Sequence, residues 1–182
     1  MRTISSGVPG APQTRDARGE TVAAKPFFRQ AFRTQRCLVL ADGFYEWKRS
    51  GKSKVPFRIA LGTEEPFAFA GIWSLVHDAQ GRSVTTFAIL TTDANAAVAE
   101  VHNRMPVILH PQDEATWLHP ETPADRAQAL LKPFPADLLH VYEVSSKVNS
   151  PTYNTPDAMQ GVARQAPDGA ETGGLFADAA KP

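Results

Sequence analysis

Apolar residues in this chain fall in short runs, some alternating with polar residues and some continuous, parted by turn-forming residues; that rhythm predicts strands more than helices. Residues 36–41 form a short apolar run and residues 44–48 alternate, and Ser50-Gly51-Lys52-Ser53 supplies turn residues before a further run at 55–61. Two extended segments joined by such a turn predict a hairpin. Residues 67–75 and 84–92 predict two more strands around the turn signal Asp78-Ala79-Gln80-Gly81, and residues 104–109 and 138–144 complete the set. Helices are fewer. Residues 96–101 are short and Ala-rich and would deliver His102 at a helix C-terminus, where the dipole favours an imidazolium. Pro111, followed by Asp113 and Glu114, marks a helix start, and a second helix is expected over 123–132. The expected fold class is α+β, mainly antiparallel.

At 182 residues with 42% hydrophobic content the chain suits one domain with one core. Residues 1–14 and 157–182 lack periodicity and are expected to be disordered, leaving a domain over 15–156. Net charge is zero, so no overall field draws the chain to nucleic acid and any DNA contact must be local. Between Arg15 and Arg36 six basic residues stand against two acidic ones; such a stretch either neutralises a few phosphates or is a solvated helix face. A single cysteine rules out an internal disulfide and the histidine spacing does not suit zinc, so no metal and no cofactor is expected. No apolar run approaches a membrane span and no hydrophobic leader is visible, which predicts a cytoplasmic protein, expected to be a monomer.

Two segments carry the candidate chemistry. Cys37-Leu-Val-Leu-Ala-Asp-Gly-Phe-Tyr-Glu-Trp-Lys48 places Glu46 between Tyr45 and Trp47, an aromatic surround that would disfavour the charged carboxylate and lift its pKa toward neutrality. His102-Asn-Arg-Met-Pro-Val-Ile-Leu109 offers an imidazole. Together they read as two halves of one acid/base site.

These segments, with Asp16-Ala-Arg-Gly-Glu-Thr21, Phe69-Ala-Gly-Ile-Trp73, Ile89-Leu-Thr-Thr-Asp-Ala-Asn95 and Val144-Ser-Ser-Lys-Val-Asn149, follow the order of a known family. From about residue 15 to about residue 156 the chain resembles the SOS-response-associated peptidase (SRAP) family of abasic-site processing proteins. The resemblance implies a barrel-like sheet core with peripheral helices. It also implies an activity in the DNA-damage response: the amine and thiol of an N-terminal cysteine attack the aldehyde of an abasic site in single-stranded DNA and close to a thiazolidine crosslink. The same site removes the initiator methionine. By this likeness Glu46 is the proton shuttle and His102 a second acid/base group.

Family members begin Met-Cys-Gly-Arg, whereas this chain begins Met1-Arg-Thr-Ile-Ser-Ser-Gly7, so the nucleophile is expected to be missing and catalysis impaired. Asp16 stands where the family usually has asparagine, losing a donor and adding charge, or is simply an exposed loop residue. Arg18 and Arg104 match positions that bind DNA phosphates, although either could instead pair with Glu20 or Asp93, and Thr91 matches a small polar contact. Trp47 and Trp73 either stack on bases or belong to the core. Cys37 has an amide nitrogen and an apolar setting and reads as a packing residue. His77, His110, His119 and His140 read as surface or structural. Beside the covalent reading stand two others: a non-covalent single-stranded DNA-binding remnant, and an incomplete gene product that does not fold stably.

Overall fold

The computed structural model describes residues 17–162. Strands β1 (Arg36–Ala41), β2 (Phe44–Ser50), β3 (Ser53–Leu61) and β4 (Phe67–His77) arise where the sequence pattern expects them, and β2 and β3 pair as the anticipated hairpin. Its two-residue loop places Gly51 at φ +58°, the backbone region that glycine enters without a Cβ clash.

The expected strands over 84–92 and 104–109 are each interrupted, and the interruptions explain the architecture. The first divides into β5 (Ser83–Ile89) and β6 (Thr91–Asp93) at Leu90, the second into β7 (Arg104–Pro106) and β8 (Ile108–Leu109) at Val107. Strands β5 and β8 pair with different stretches of β4, whereas β6 and β7 pair with each other. At the crossing the Leu90 N–H donates to Ala70 O, Val107 N–H to Leu90 O and Ala70 N–H to Val107 O, each at 2.9 Å. Both chain segments therefore change sheet without leaving a buried amide unsatisfied.

Strand β9 (Leu139–Glu143) joins β3, giving a second antiparallel sheet in the order β2–β3–β9 beside the first, β1–β4–β5. The chain is thus α+β and mainly antiparallel, as expected. Among the described residues its three sheets wrap a common core without closing into one ring. Helices α2 (Pro26–Thr34) and α4 (Pro111–Leu118) cover one face of the first sheet through Phe28, Phe32 and Trp117 against Ala70 and Ile72. The other face meets the second sheet, with Phe69, Ile89 and Ile59 packed against Val98 and Met105. Short helices α1 (Gly19–Val22), α3 (Ala96–Ala99) and α5 (Ala124–Ala129) lie at the periphery. The α5 segment is shorter than the 123–132 expected: Leu130 caps it and Pro133 follows.

Arg36 ties α2 to α4. Its guanidinium donates to Phe32 O (2.9 Å) and Arg33 O (3.0 Å) at the end of α2, and to Trp117 O and His119 O (both 2.6 Å) at the end of α4. A cation between two helix C-termini complements both dipoles.

The expected tails fall largely outside the described residues. Residues 157–162, assigned to a disordered tail by composition, are instead docked: a 3₁₀ turn at Pro156–Met159 presents Ala158 O to Tyr45 Oη (3.1 Å) and Met159 O to Tyr142 Oη (2.9 Å), and Gly161 bridges Val144. Composition missed this because the anchors are single tyrosines, one of them 113 positions away, that no local pattern marks.

Candidate functional site

Strand alternation sends Tyr45 and Trp47 to one side of β2 and Glu46 to the other. The aromatic surround expected from sequence adjacency is therefore corrected. Tyr45 reaches Ala158, and the Trp47 indole N–H donates to Asn149 Oδ1 at 2.7 Å, so this tryptophan helps seat the segment after β9. Burial pushes the Tyr45 phenol pKa up.

Glu46 faces inward and is 1% exposed. Directly opposite it on β3 is Phe57, and opposite Phe57 on β9 is Glu143, so two carboxylates flank one phenyl ring across the same sheet face. Two residues along, Phe44 and its partner Ile59 join the core containing Val98 and Met105. Val98 and Met105 bracket His102 in the chain. A second tie runs along the same strand face, where Lys48 Nζ lies 4.0 Å from Glu100 Oε2, two residues before His102. The face bearing Glu46 and the α3–β7 segment bearing His102 thus border one core and are linked by this ion pair.

His102 emerges from α3 as expected, its N–H bonded to Val98 O at 2.9 Å. The helix starts at Asn95, whose side chain accepts from the Val98 N–H (2.9 Å) and donates to Phe134 O (2.6 Å). Ring nitrogen Nδ1 lies 3.1 Å from the Arg104 amide nitrogen and 3.2 Å from Arg104 O. Both contacts fall on Nδ1 and hold the ring against the Arg104 backbone, which leaves Nε2 the ring nitrogen without a contact to Arg104.

Arg104 is locked in place. Its Nη1 donates to Glu20 Oε1 (2.9 Å) and Asp93 Oδ1 (2.6 Å), and its Nη2 to Glu20 Oε2 (2.9 Å), Thr91 O (2.8 Å) and Thr91 Oγ1 (3.2 Å). The paired fork with Glu20 is the strong geometry for a guanidinium and a carboxylate. Its hydrogen bond with Arg104 holds the Glu20 carboxyl below its usual range. Burial pulls the Arg104 pKa down, but Glu20 and Asp93 outweigh it and the net direction is up. The ion-pair alternative for Arg104 is therefore realised, with both carboxylates at once.

Arg18 is exposed and makes a parallel backbone bridge with Thr91, and the Thr91 N–H donates to Ala17 O (3.0 Å). Gly19 permits this approach, since a Cβ there would lie 3.2 Å from Thr91 O and 3.1 Å from Leu131 Cβ. Arg18, Thr91, Arg104 and His102 are consequently neighbours through shared backbone. Asp16 lies outside the described residues. Cys37 sits half-buried over Gly71, its register partner on β4, and burial pushes its thiol pKa up. Trp73 is exposed at 36%, outside the core. Among the four other histidines, His110 stacks on Phe134 and His140 on Tyr142. Among the described residues no group of three or more His, Cys, Asp or Glu is placed to hold a metal, and no helix is long and apolar enough to cross a membrane.

The family model described as SOS response associated peptidase (SRAP) matches residues 4–151. The chain belongs to the SRAP family. Among SRAP relatives, the abasic site processing protein YoqW of Bacillus subtilis is 44% identical over 147 residues, covering 80% of this chain and 66% of YoqW. The abasic site processing protein HMCES of Gallus gallus is 32% identical over 170 residues, covering 81% of this chain and 50% of its own. This SRAP chain thus spans just under two thirds of the length of the bacterial relative and half that of the vertebrate one. A crystal structure of a Bacteroides thetaiotaomicron protein shares the fold with a TM-score of 0.77 at 32% identity, covering 81% of this SRAP chain and 66% of that one.

Proposed function

We propose that this chain handles abasic sites in single-stranded DNA within the DNA-damage response, with Glu46 and His102 as its proton-transfer pair and Arg18, Thr91 and Arg104 beside the strand's phosphates. The observation that carries this reading is the core that Phe44, on the Glu46 face of β2, shares with Val98 and Met105, the residues that bracket His102, together with the Lys48–Glu100 pair. The relatives named for abasic-site processing supply the substrate class.

A ring-opened abasic sugar presents an aldehyde. An amine that adds to it needs a proton delivered to the carbonyl oxygen and another removed from nitrogen before water leaves and an imine forms. A buried carboxylate is suited to that exchange, and His102, with Nδ1 occupied by Arg104, offers Nε2 to the sugar. Thiol addition across the imine then gives the thiazolidine expected of the family, and the same pair would serve release of the initiator methionine. Within these 182 residues the single thiol is that of Cys37. Its nitrogen is committed to a peptide bond and its thiol is held protonated by burial, so it cannot supply both atoms. Cys37 therefore does not replace an N-terminal cysteine in closing the thiazolidine.

Incubation with an abasic single-stranded oligonucleotide should give salt-sensitive binding and no heat-stable adduct on a denaturing gel. A shifted band after heating overturns the inert Cys37; absence of binding at low salt overturns the DNA reading. The pairing itself is checked by NMR: Glu46→Gln should move the ring signals of His102, and unmoved signals refute a common site.

A further inference from the structure

From Trp47 to Thr63 the sequence holds five basic residues, Lys48, Arg49, Lys52, Lys54 and Arg58, and no acidic one. The structure divides them. Arg58 is buried and occupied, donating to Tyr142 Oη and Asp42 O at 2.8 Å each. Lys48 reaches Glu100 at 4.0 Å. Arg49, Lys52 and Lys54 are exposed on the β2–β3 hairpin, and none of them forms an ion pair with a described residue.

Their placement is unfavourable in the absence of an anion. Arg49 and Lys54 are register partners, so two like charges stand directly opposite each other on one sheet face. Such a pair destabilises a hairpin. Lys52 occupies the turn, within a Debye length of about 10 Å of both. Gly51 at φ +58° permits the tight turn, and Ser53 Oγ, donating to Ser50 O at 2.8 Å, braces it. A neutral chain thus concentrates uncompensated positive charge on one rigid projection.

We propose that the β2–β3 hairpin is a phosphodiester-binding arm that holds the DNA backbone beyond the lip of the acid/base site. The inference rests on the single-stranded DNA reading above and extends it to a second contact region. Glu46 lies deep on β2 and Lys48 follows on its face near the His102 segment, whereas Arg49 and Lys54 project from the reverse face near the turn, so a strand that engages them leaves the site around the hairpin edge. At about 3.3 Å per residue the tip stands roughly 17 Å from Glu46, enough to follow several phosphates of one strand. Lysines on exposed strands also serve to discourage edge-to-edge pairing. That role predicts no effect on DNA and is separable by experiment.

The test compares the full chain with the triple variant Arg49→Gln, Lys52→Gln, Lys54→Gln, using fluorescence anisotropy on a single-stranded oligonucleotide with a central tetrahydrofuran abasic analogue over a range of salt. Each lost contact should lower the slope of log K against log salt by about 0.7, so the triple variant should lose about 2 from the slope and about tenfold or more in affinity at low salt. Its urea midpoint should hold or rise, because the opposed charges are gone. A control variant, Arg126→Gln with Lys132→Gln, removes charge elsewhere and should change affinity little. An unchanged slope in the triple variant while the parent chain binds overturns the arm alone, as does an equal loss in the control. A parent chain that binds no single-stranded DNA overturns the functional reading together with the arm.

Discussion

The Glu20–Arg104–Asp93 cluster permits a quantitative prediction, because the three side chains are unequally exposed: Arg104 at 13%, Glu20 at 43% and Asp93 at 80%. Two charges about 4 Å apart interact with about 4 kcal/mol gross at an effective dielectric of 20. Solvent access to Glu20 discounts most of this, leaving a net contribution of about 1 kcal/mol for the forked pair. The folded-state pKa of Glu20 is lowered, so its contribution is fully present above the unfolded value of about 4.3 and disappears as pH falls through the folded value. Glu20→Gln should therefore lower Tm by about 3 °C at neutral pH, with the difference shrinking below about pH 4, where the wild-type carboxylate itself protonates. Thermal melts by circular dichroism at the two pH values measure this, and an equal deficit at both would refute the ionic account. Asp93→Asn should leave stability almost unchanged, since Asp93 itself is solvent-screened. If Arg104 exchanges Asp93 for a phosphate when DNA binds, removing that competing carboxylate should tighten binding about fivefold, the equivalent of about 1 kcal/mol. Unaltered affinity in Asp93→Asn would instead make Arg104 a strut for the His102 segment.

Arg36→Met should destabilise the chain by about 3 kcal/mol, because four carbonyls at two helix ends lose a charged donor; Arg36→Lys should cost less, and urea midpoints at constant m-value would order the two. Gly71→Ala would set a Cβ 2.9 Å from Cys37 Sγ and 3.0 Å from Val39 Cγ2, an overpacking expected to cost about 1–3 kcal/mol by urea denaturation, which the double variant Gly71→Ala, Cys37→Ala should partly relieve.

Much of the fold was legible because strand periodicity and turn chemistry are local. The β2–β3 hairpin follows from alternation before Ser50-Gly51 and an apolar run after it, and α4 from Pro111 with acids in its first turn. The breaks at Leu90 and Val107 were not legible: both residues are apolar within apolar runs, and only the tertiary exchange of backbone bonds with Ala70 separates one strand into two. Helix α2 was foreseen only as one option for a basic stretch, since its buried side is three residues, Phe28, Ala31 and Phe32. At the candidate site, residue identities came from motif likeness, whereas facing did not. Adjacency put Tyr45 and Trp47 around Glu46, although strand geometry sends neighbours to opposite sides. The fork between Glu20 and Arg104 joins residues 84 positions apart, a distance at which sequence pattern offers only the option of a charge pair.

Strand β2 acts as a partition seven residues long. One side carries Glu46 and the other anchors the chain's return through Tyr45 and Trp47, so mutational drift on either side can proceed without altering the occupants of the other. The two sides still share one backbone. A ligand or protease that pulls residues 156–162 off their tyrosine anchors would loosen the wall as a whole, and the side bearing Glu46 would register that event as a shift in position without any altered neighbour.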